Sequence, residues 1–435
     1  MTSGGDWFTE GRVAPGYCAS MKPVPVAAQR LAVSSHPVAE TIEAHGCSIV
    51  IRRVTGPAAR ELFLHCQPPA ATPGARLQAE AIYRALLGVL EAEGGGYASV
   101  VTETVFLRNL RANVGPVREA RDRVLAAHRC ATHRPATTEI EQPPLSEPAC
   151  LEVSMQAVLP HEGAARCETI EATPACACAE CARSHGLRVQ LGEEVRFHAA
   201  GLCGAGSTAY EQTLGMFGRA EDLLRQAGME FRDVVRAWIY LRDIDRDYAE
   251  LNRARRAFFV ERGIGPVPAS TGIGGGPVPE THDLCLCVYA VKSGRPLART
   301  VMTSPTLNEA AQYGADFVRG MKEVETNKVA LHVSGTASID EHGRTAHPGD
   351  FDAQADRMFV NIAALLQRQG ATFSDVVSAI TYLKHPTDAA RLRKKVHDAG
   401  FEGFPHALVL APICRTDLLC ETEALAVLPR DNGGH

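Results

Sequence analysis

The chain has 435 residues, enough for two to four domains that each bury a core of their own. Its 45 lysines and arginines against 50 aspartates and glutamates give a net charge of −5, which argues against the concentrated basic face that a nucleic-acid partner requires. The amino terminus "MTSGGDWFTEGR" has no apolar core of signal-peptide type, and no run approaches the roughly 18 apolar residues of a membrane span, so we expect a cytoplasmic protein without a membrane partner.

Three segments share one pattern, which indicates a repeat at domain scale. They are "GGYASVVTETVFL" (95–107), "MEFRDVVRAWIYL" (229–241) and "ATFSDVVSAITYL" (371–383). Val101, Val235 and Val377 occupy the same place in each segment, 134 and 142 residues apart. The sequence therefore predicts three copies of one structural unit.

Each copy shows the same order of elements. The order is a pair of strands, an amphipathic helix, the shared strand, a second helix and a closing strand. The amphipathic helix is indicated by an apolar stripe, which in the third copy runs from Phe351 to Leu365. This β-β-α-β-α-β order predicts an α+β fold with the helices on one face of a mixed sheet. The predicted segments are an N-terminal extension (1–46), repeat 1 (47–160), a cysteine-rich linker (161–186), repeat 2 (187–295) and repeat 3 (296–435).

The cysteine-rich linker carries four thiols within fifteen residues: Cys167, Cys176, Cys178 and Cys181. In a long chain without a secretion signal, such thiols are better interpreted as free or as metal ligands than as disulfides. They could hold a structural zinc tetrahedrally, with His161 or His185 as a substitute ligand. The alternative is a flexible, thiol-rich linker.

Two further stretches are predicted to lack regular structure. The proline-rich "ATTEIEQPPLSEPA" (136–149) is interpreted as a linker within repeat 1. "STGIGGG" (270–276) is interpreted as a glycine-rich loop rather than a phosphate-binding loop, because no Lys-Ser/Thr pair follows it.

The repeated "DVV…YL" block and the order of elements resemble the Rid (YjgF) family. Its small, chorismate-mutase-like domains assemble as trimers with binding clefts between adjacent sheets. Three copies in one chain therefore imply a covalently linked pseudo-trimer around a central barrel of sheets, present as a monomer or a small homo-oligomer.

The resemblance also identifies two positions per repeat that carry the family's chemistry. In Rid enzymes that hydrolyse enamines and imines, an arginine about fifteen residues before a closing-strand glutamate holds the substrate carboxylate. The glutamate positions here are Glu152, Cys285 and Glu421, and the arginine positions are Thr137, Ser270 and His406. Because Thr and Ser cannot replace a bidentate guanidinium, ordinary imine deamination is not expected.

Repeats 2 and 3 together resemble FkbO-type chorismatases. The matching stretches are "LNRARRAFF" (251–259), "PASTGIGG" (268–275), "HVSGTASIDEHGRTAHPGDFDAQADRMFVNIAALL" (332–366) and "CRTDLLCETEA" (414–424). The resemblance implies a cofactor-free enzyme in which Glu421 is the general acid that protonates the methylene carbon of chorismate's enolpyruvyl group. Pyruvate would leave, and the ring product would be a hydroxybenzoate or a dihydroxycyclohexadienoate of secondary metabolism.

Further residues follow from the same resemblance. Cys414 stands where the family varies the residue to steer the product. The small-molecule carboxylate substrate is expected to contact Arg415, Arg319, Tyr313 and Ala337. His406 is added to this set because a protonated imidazole at the arginine position would bind a carboxylate.

The closing strand of repeat 3 is also informative by its charge. Alternation across the pleat places Glu421 and Glu423 on one face. Burial of the pair would raise the pKa of Glu421, as required of an acid that is still protonated near neutral pH. The alternative is a solvated edge strand whose charges protect the sheet edge.

Three classes of function stay open at this point. The first is a chorismatase-like enzyme acting on chorismate or a related cyclic enol ether acid. The second is a Rid-type hydrolase or condensing enzyme with another unsaturated, carboxylated substrate. The third is a ligand-binding scaffold without catalysis. Retention of Glu421 together with Arg415 favours the enzymes.

Overall fold

The computed structural model describes residues 39–128, 132–161, 166–294, 297–309 and 316–430. These residues contain three copies of one α+β unit, each a mixed sheet with two helices. The predicted fold class and the three repeats are thereby confirmed. Within the described ranges, no helix is long and apolar enough to cross a membrane.

The three repeats have corresponding elements. Repeat 1 contains β1 (Glu40–Ala44), β2 (Cys47–Thr55), β3 (Ala59–Gln67), α1 (Ala75–Ala92), β4 (Val100–Leu107), α2 (Leu110–Ala127), β5 (Ala136–Glu141) and β6 (Leu151–Pro160). Repeat 2 contains β7 (Arg166–Glu171), β8 (His185–Leu191), β9 (Glu194–Leu202), α3 (Ala209–Gln226), β10 (Val234–Leu241), α4 (Ile244–Glu261), β11 (Ala269–Gly274), β12 (Gly276–Pro277) and β13 (Leu284–Ser293). Repeat 3 contains β14 (Arg299–Val301), β15 (Gly320–Val324), β16 (Val329–Ala337), α5 (Phe351–Gln367), β17 (Val376–Leu383), α6 (Ala389–Asp398), β18 (His406–Leu410) and β19 (Cys420–Leu428).

The three sheets share one strand order. It is β2-β3-β6-β4-β5 in repeat 1, β8-β9-β13-β10-β11 in repeat 2 and β15-β16-β19-β17-β18 in repeat 3. The strand after the second helix is parallel to its neighbour, whereas the other neighbours in this shared order are antiparallel. In addition, β12 of repeat 2 pairs with β5 of repeat 1, so one sheet contains strands from two repeats.

Each repeat has a strand after its second helix that the sequence did not predict. The stretch 270–276 lies largely in β11 rather than in a loop, and β5 lies inside the proline-rich stretch 136–149. Glycine and proline lower the intrinsic strand preference of both stretches, but parallel pairing with the buried neighbouring strand satisfies their backbone hydrogen bonds. The sheets also extend beyond the predicted boundaries, since β1 precedes residue 47 and β7 lies within 161–186.

The helices form where the sequence combines a cap with an apolar stripe. In repeat 3, the side chain of Asp350 accepts a hydrogen bond from the backbone N–H of Ala353 and begins α5. The stripe from Phe351 to Leu365 is buried. Apolar cores of this kind lie in all three repeats, and the core of repeat 3 continues into buried residues of the other two, such as Phe106 and Tyr240.

Three further apolar clusters join the repeats in a closed ring. Val101 lies in the cluster between repeats 1 and 2, Val235 in the cluster between repeats 2 and 3, and Val377 in the cluster between repeats 3 and 1. Side chains from all three sheets enclose a central cavity of about 170 Å³. The valines that reveal the repeat in the sequence are therefore the residues that close the pseudo-trimer.

Candidate active site

A pocket of about 330 Å³ opens between the sheets of repeats 2 and 3. It contains five of the predicted site residues: Glu421, Cys414, Arg415, Arg319 and Ala337. The fold thus brings together residues that lie on β16, on β19 and on the segments that precede β15 and β19.

Hydrogen bonds hold the two sheets together at this pocket. The backbone N–H of Ser270 on β11 donates to Ser334 Oγ on β16 (2.9 Å), and the backbone N–H of Gly335 donates to Thr271 Oγ1 (2.9 Å). A side chain at Gly335 would collide with the carboxyl group of Glu421. Glycine at this position therefore leaves the space that Glu421 occupies.

Glu421 is a buried carboxyl group at the base of the pocket, with only 4% of its surface exposed. On β19 it pairs with Ala337 on one side and with Tyr382 on the other. Burial and the nearby charge of Glu423 raise the pKa of Glu421 to about 8, although Arg319, Arg236 and Arg415 act in the opposite direction. Glu421 is therefore protonated at neutral pH and can donate a proton.

Glu423 lies on the same strand but has different partners. Arg236 Nη2 donates to Glu423 Oε2 at 2.9 Å, and Trp238 Nε1 donates to Oε1 at 2.7 Å. The carboxylate faces the central cavity rather than the pocket. The different environments of the two carboxyl groups thus give them different roles: Glu423 is ion-paired, and Glu421 is a neutral acid.

Three guanidinium groups line the same pocket, and hydrogen bonds to neutral oxygen atoms position each of them. Arg319 donates to the backbone oxygen of Asn308 (2.8 Å), and Arg415 donates to the backbone oxygen of Gly343 (2.8 Å). Arg255 on α4 donates to the side chain of its neighbour Asn252 (2.6 Å). Among the described residues that line the pocket, Glu421 carries the one carboxyl group, so the pocket is suited to an anionic ligand.

Cys414 lies beside these groups as a neutral thiol. Burial and the nearby Glu421 raise the pKa of Cys414 to about 12. Because the thiolate is the nucleophilic form, this thiol is suited to shaping the pocket rather than to attacking a substrate.

Nine lining residues were not among the predicted site residues, and five of these have polar or aromatic side chains: Tyr248, Asn252, Arg255, Ser270 and Phe317. A signal for three of them was present: Ser270 belongs to the stretch "PASTGIGG", which carries the family resemblance, and Asn252 and Arg255 belong to a second such stretch, "LNRARRAFF". That stretch lies on α4 of repeat 2, and only the closure of the ring brings it next to β19 of repeat 3.

Two predicted substrate contacts remain, Tyr313 and His406. Tyr313 lies outside the described residues. His406 does not line the pocket, and the expectation that it binds the substrate carboxylate as a cation is corrected. Its ring hydrogen-bonds Thr381 (2.8 Å), and burial, assisted by the nearby His65, lowers the pKa of His406 to about 3. A neutral imidazole cannot form the expected ion pair.

The equivalent carboxyl group of repeat 1, Glu152, lies in a closed network of hydrogen bonds. His65 Nε2 lies 3.0 Å from Glu152 Oε2, while the other ring nitrogen lies 2.9 Å from Ser154 Oγ. Ser146 and Gln67 donate to the second oxygen of Glu152. Both oxygens of Glu152 thus have hydrogen-bond partners within the protein.

The cleft between repeats 1 and 2 is lined by a different set of residues. A pocket of about 440 Å³ contains Thr137 and the buried Cys285 in place of the family's arginine and glutamate. Its carboxylates Glu139 and Glu180 both accept hydrogen bonds from Arg118, the latter at 2.7 Å. Of the three clefts, the one between repeats 2 and 3 therefore combines a neutral acid with several arginines.

The structure separates the four cysteines that the sequence grouped. Cys176, Cys178 and Cys181 lie together with His282, and their potential ligand atoms are all within 4.8 Å of one another. Cys167 is exposed on β7 and is not part of this group. The ring of His185 instead lies 3.1 Å from the backbone oxygens of Arg134 and Pro135. The predicted ligand set is therefore corrected at one cysteine and at the histidine.

Comparison with known proteins gives results that agree with one another. A family model described as endoribonuclease L-PSP matches residues 197–291 and 310–428. A RutC family protein of Pyrococcus abyssi is 34% identical over 98 residues, which cover 22% of this chain and 76% of that protein.

A chorismatase of Streptomyces rapamycinicus is 27% identical over 231 residues, covering 47% of this chain and 66% of the chorismatase, just under two thirds of its length. Among solved structures, a chorismatase crystal structure is similar in fold, with a TM-score of 0.53 and 17% sequence identity. The similarity covers 76% of this chain and 93% of that structure.

Proposed function

We propose that this chain, which belongs to the Rid (YjgF, RutC) family, is a chorismatase-like enzyme that releases pyruvate from chorismate or a related cyclic enol ether acid. The observation that carries the proposal is the pocket between repeats 2 and 3. There a buried carboxyl group that is protonated at neutral pH lies among three arginines. This combination suits a substrate that is both anionic and in need of a proton.

Charge supports the choice of substrate class. Chorismate carries two carboxylates, and the arginines Arg255, Arg319 and Arg415 provide up to three positive charges in the pocket. Since Glu421 is neutral before reaction, it does not repel these carboxylates.

The proposed reaction begins with proton transfer to carbon. The O–H bond of Glu421 breaks and a C–H bond forms at the methylene carbon of the enolpyruvyl group, leaving a carboxylate and an oxygen-stabilised cation. In the hydrolytic form of the reaction, water adds to that cation and its proton returns to the Glu421 carboxylate, and the resulting hemiketal collapses to pyruvate and the ring alcohol. The charges of Arg319, Arg236 and Arg415, which already lower the pKa of Glu421, stabilise the carboxylate as it forms.

The cleft is less suited to the ordinary Rid deaminase reaction. Ser270 stands opposite Glu421 at the position where imine deaminases carry their carboxylate-binding arginine. The arginines of this pocket come instead from α4 and from repeat 3. Their different placement supports a larger substrate with carboxylates at other distances from the reacting carbon.

Cys414 is proposed to influence the ring product. Its neutral thiol lines the pocket next to Glu421, and water activation or ring deprotonation would be sensitive to a group at this place. We expect Cys414→Ala to change the ratio of dihydroxycyclohexadienoate to hydroxybenzoate. Chromatography of the ring products measures that ratio.

The experiment that tests the function is pyruvate release from chorismate, coupled to lactate dehydrogenase. The native protein should form one pyruvate for each chorismate consumed. A parallel assay with an enamine generated from a small amino acid tests the Rid-type hydrolase. Absence of pyruvate together with hydrolysis of the enamine would contradict the proposal.

A further inference from the structure

A compact group of four sulfur and nitrogen ligands lies away from the Glu421 pocket. His282 Nε2 is 3.3 Å from Cys181 Sγ and 3.5 Å from Cys176 Sγ, and Cys178 Sγ completes the group. His282 follows β12 in the chain, whereas the three cysteines precede β8. Two distant segments of repeat 2 therefore meet at this point.

We propose that Cys176, Cys178, Cys181 and His282 bind one structural zinc ion. Three thiolates and one imidazole are a common ligand set for tetrahedral zinc. With Zn–S bonds of about 2.3 Å and Zn–N bonds of about 2.0 Å, tetrahedral angles place sulfur and nitrogen ligands roughly 3.5 Å apart. The observed separations of 3.3 and 3.5 Å agree with this value.

Surrounding hydrogen bonds orient the ligands. His282 Nδ1 lies 3.0 Å from the backbone oxygen of Gly204, to which it donates, so Nε2 presents its lone pair to the thiols. The backbone N–H of Cys178 donates to Cys176 Sγ, and that of Cys181 donates to Cys178 Sγ, both at 3.4 Å. These bonds fix the positions of the two sulfur atoms within the group.

A buried arginine forms hydrogen bonds with the backbone of the segment that carries the cysteines. Arg219 on α3 is 9% exposed and donates to the backbone oxygens of Cys203 (2.7 Å), Thr173 (3.0 Å) and Cys181 (3.5 Å). It fixes the path of the chain on both sides of the cysteines. The ligands are therefore held by their surroundings.

The position of the group indicates a structural role. Glu180, next to Cys181, forms an ion pair with Arg118 of repeat 1 at 2.7 Å. A metal that fixes this loop to His282 would hold Glu180 at the interface between repeats 1 and 2. Four protein ligands leave no open position for a substrate, and none of them lines the Glu421 pocket.

The first test is the metal content of full-length protein, purified under reducing conditions and dialysed, by mass spectrometry of the metals. We expect about one zinc per chain. Cys178→Ser and His282→Ala should each lower this content severalfold, whereas Cys167→Ser, which changes an exposed cysteine outside the group, should leave it unchanged. Loss of zinc in Cys167→Ser with retention in His282→Ala would overturn the proposed ligand set.

The second test uses the native protein alone, so that it does not depend on the folding of the variants. Replacement of zinc by Co²⁺ should give the charge-transfer absorption of thiolate-bound cobalt, and removal of the metal by a chelator should lower the melting temperature. Native protein that contains no zinc and takes up neither Zn²⁺ nor Co²⁺ would overturn the proposal. The result is independent of whether chorismate is the substrate.

Discussion

The raised pKa of Glu421 can be tested by removing the charge next to it. Glu423→Gln removes the second-largest cause of that rise, after burial, while the amide can still accept one hydrogen bond from Arg236 or Trp238. We therefore expect the pKa of Glu421 to decrease in the variant. Since burial remains, the pKa should stay above the ordinary value of a glutamate.

The expected shift follows from the strand geometry. Residues two apart on a strand are separated by about 7 Å, and a unit charge at that distance contributes about 2.4 kcal/mol at an effective dielectric constant near 20, which is less than two pKa units. The native protein should lose activity as pH rises through about 8, where Glu421 deprotonates. In Glu423→Gln this loss should occur between about one and two pH units lower.

The assay is the pH dependence of kcat/KM for pyruvate release, which reports on the free enzyme. Glu402→Gln, which removes an exposed carboxylate that does not line the pocket, serves as the control and should keep the native profile. An unchanged alkaline limb in Glu423→Gln, or a shift to higher pH, would refute the assigned coupling between the two carboxyl groups.

Three other predictions concern the same pocket. Gly335→Ala should displace the Glu421 carboxyl group and lower kcat at least tenfold while circular dichroism stays unchanged. Arg415→Ala should raise KM about tenfold with a smaller effect on kcat. The control is Arg344→Ala, which changes an exposed arginine next to Gly343, the residue whose backbone oxygen accepts from Arg415, and should leave KM unchanged. The third prediction concerns stability: because the pKa of Glu421 is raised to about 8, the folded protein holds a proton that the unfolded chain releases above about pH 4.5. The stability of the fold should therefore fall as pH rises towards 8. Glu421→Gln should reduce this pH dependence, as measured by melting temperatures between pH 6 and 8.5.

The closed ring of repeats could be predicted because its signal is local and repeated. Val101, Val235 and Val377 occur at equivalent places, and each fills an interface between neighbouring repeats. The extra strand of each repeat was missed for the opposite reason. Segments such as 270–276 have little strand preference of their own, and their pairing partner lies on a strand that the sequence alone does not connect to them.

The position of the proposed acid, Glu421, could be predicted from the sequence, but the residues around it could not. Alternation places Glu421 and Glu423 on one face of β19, as predicted. The partner that distinguishes them, Arg236, lies 187 residues from Glu423 along the chain and belongs to another repeat. Such a contact depends on how the repeats close, which no local pattern specifies.

The partners of His406 and of the cysteine group also could not be predicted, because they come from distant parts of the sequence. Counting along the strands identified His406 as the residue at the arginine position, but the closed ring of repeats places it near His65 of repeat 1 rather than beside Glu421. Likewise, His282 lies 101 residues from Cys181 in sequence. Spacing identifies candidate ligands within one segment and cannot select a partner from a distant one.

The central claim is that Glu421 supplies the proton for pyruvate release, and a matched pair of variants tests it most directly. Glu421→Gln keeps the shape of the side chain but removes the transferable proton, whereas Glu152→Gln makes the same change at the equivalent position of repeat 1. Measured by pyruvate release from chorismate, kcat of Glu421→Gln should fall about 100-fold or more while KM changes little, and Glu152→Gln should retain activity close to that of the native protein. Full activity in Glu421→Gln, or an equal loss in both variants, would contradict the account.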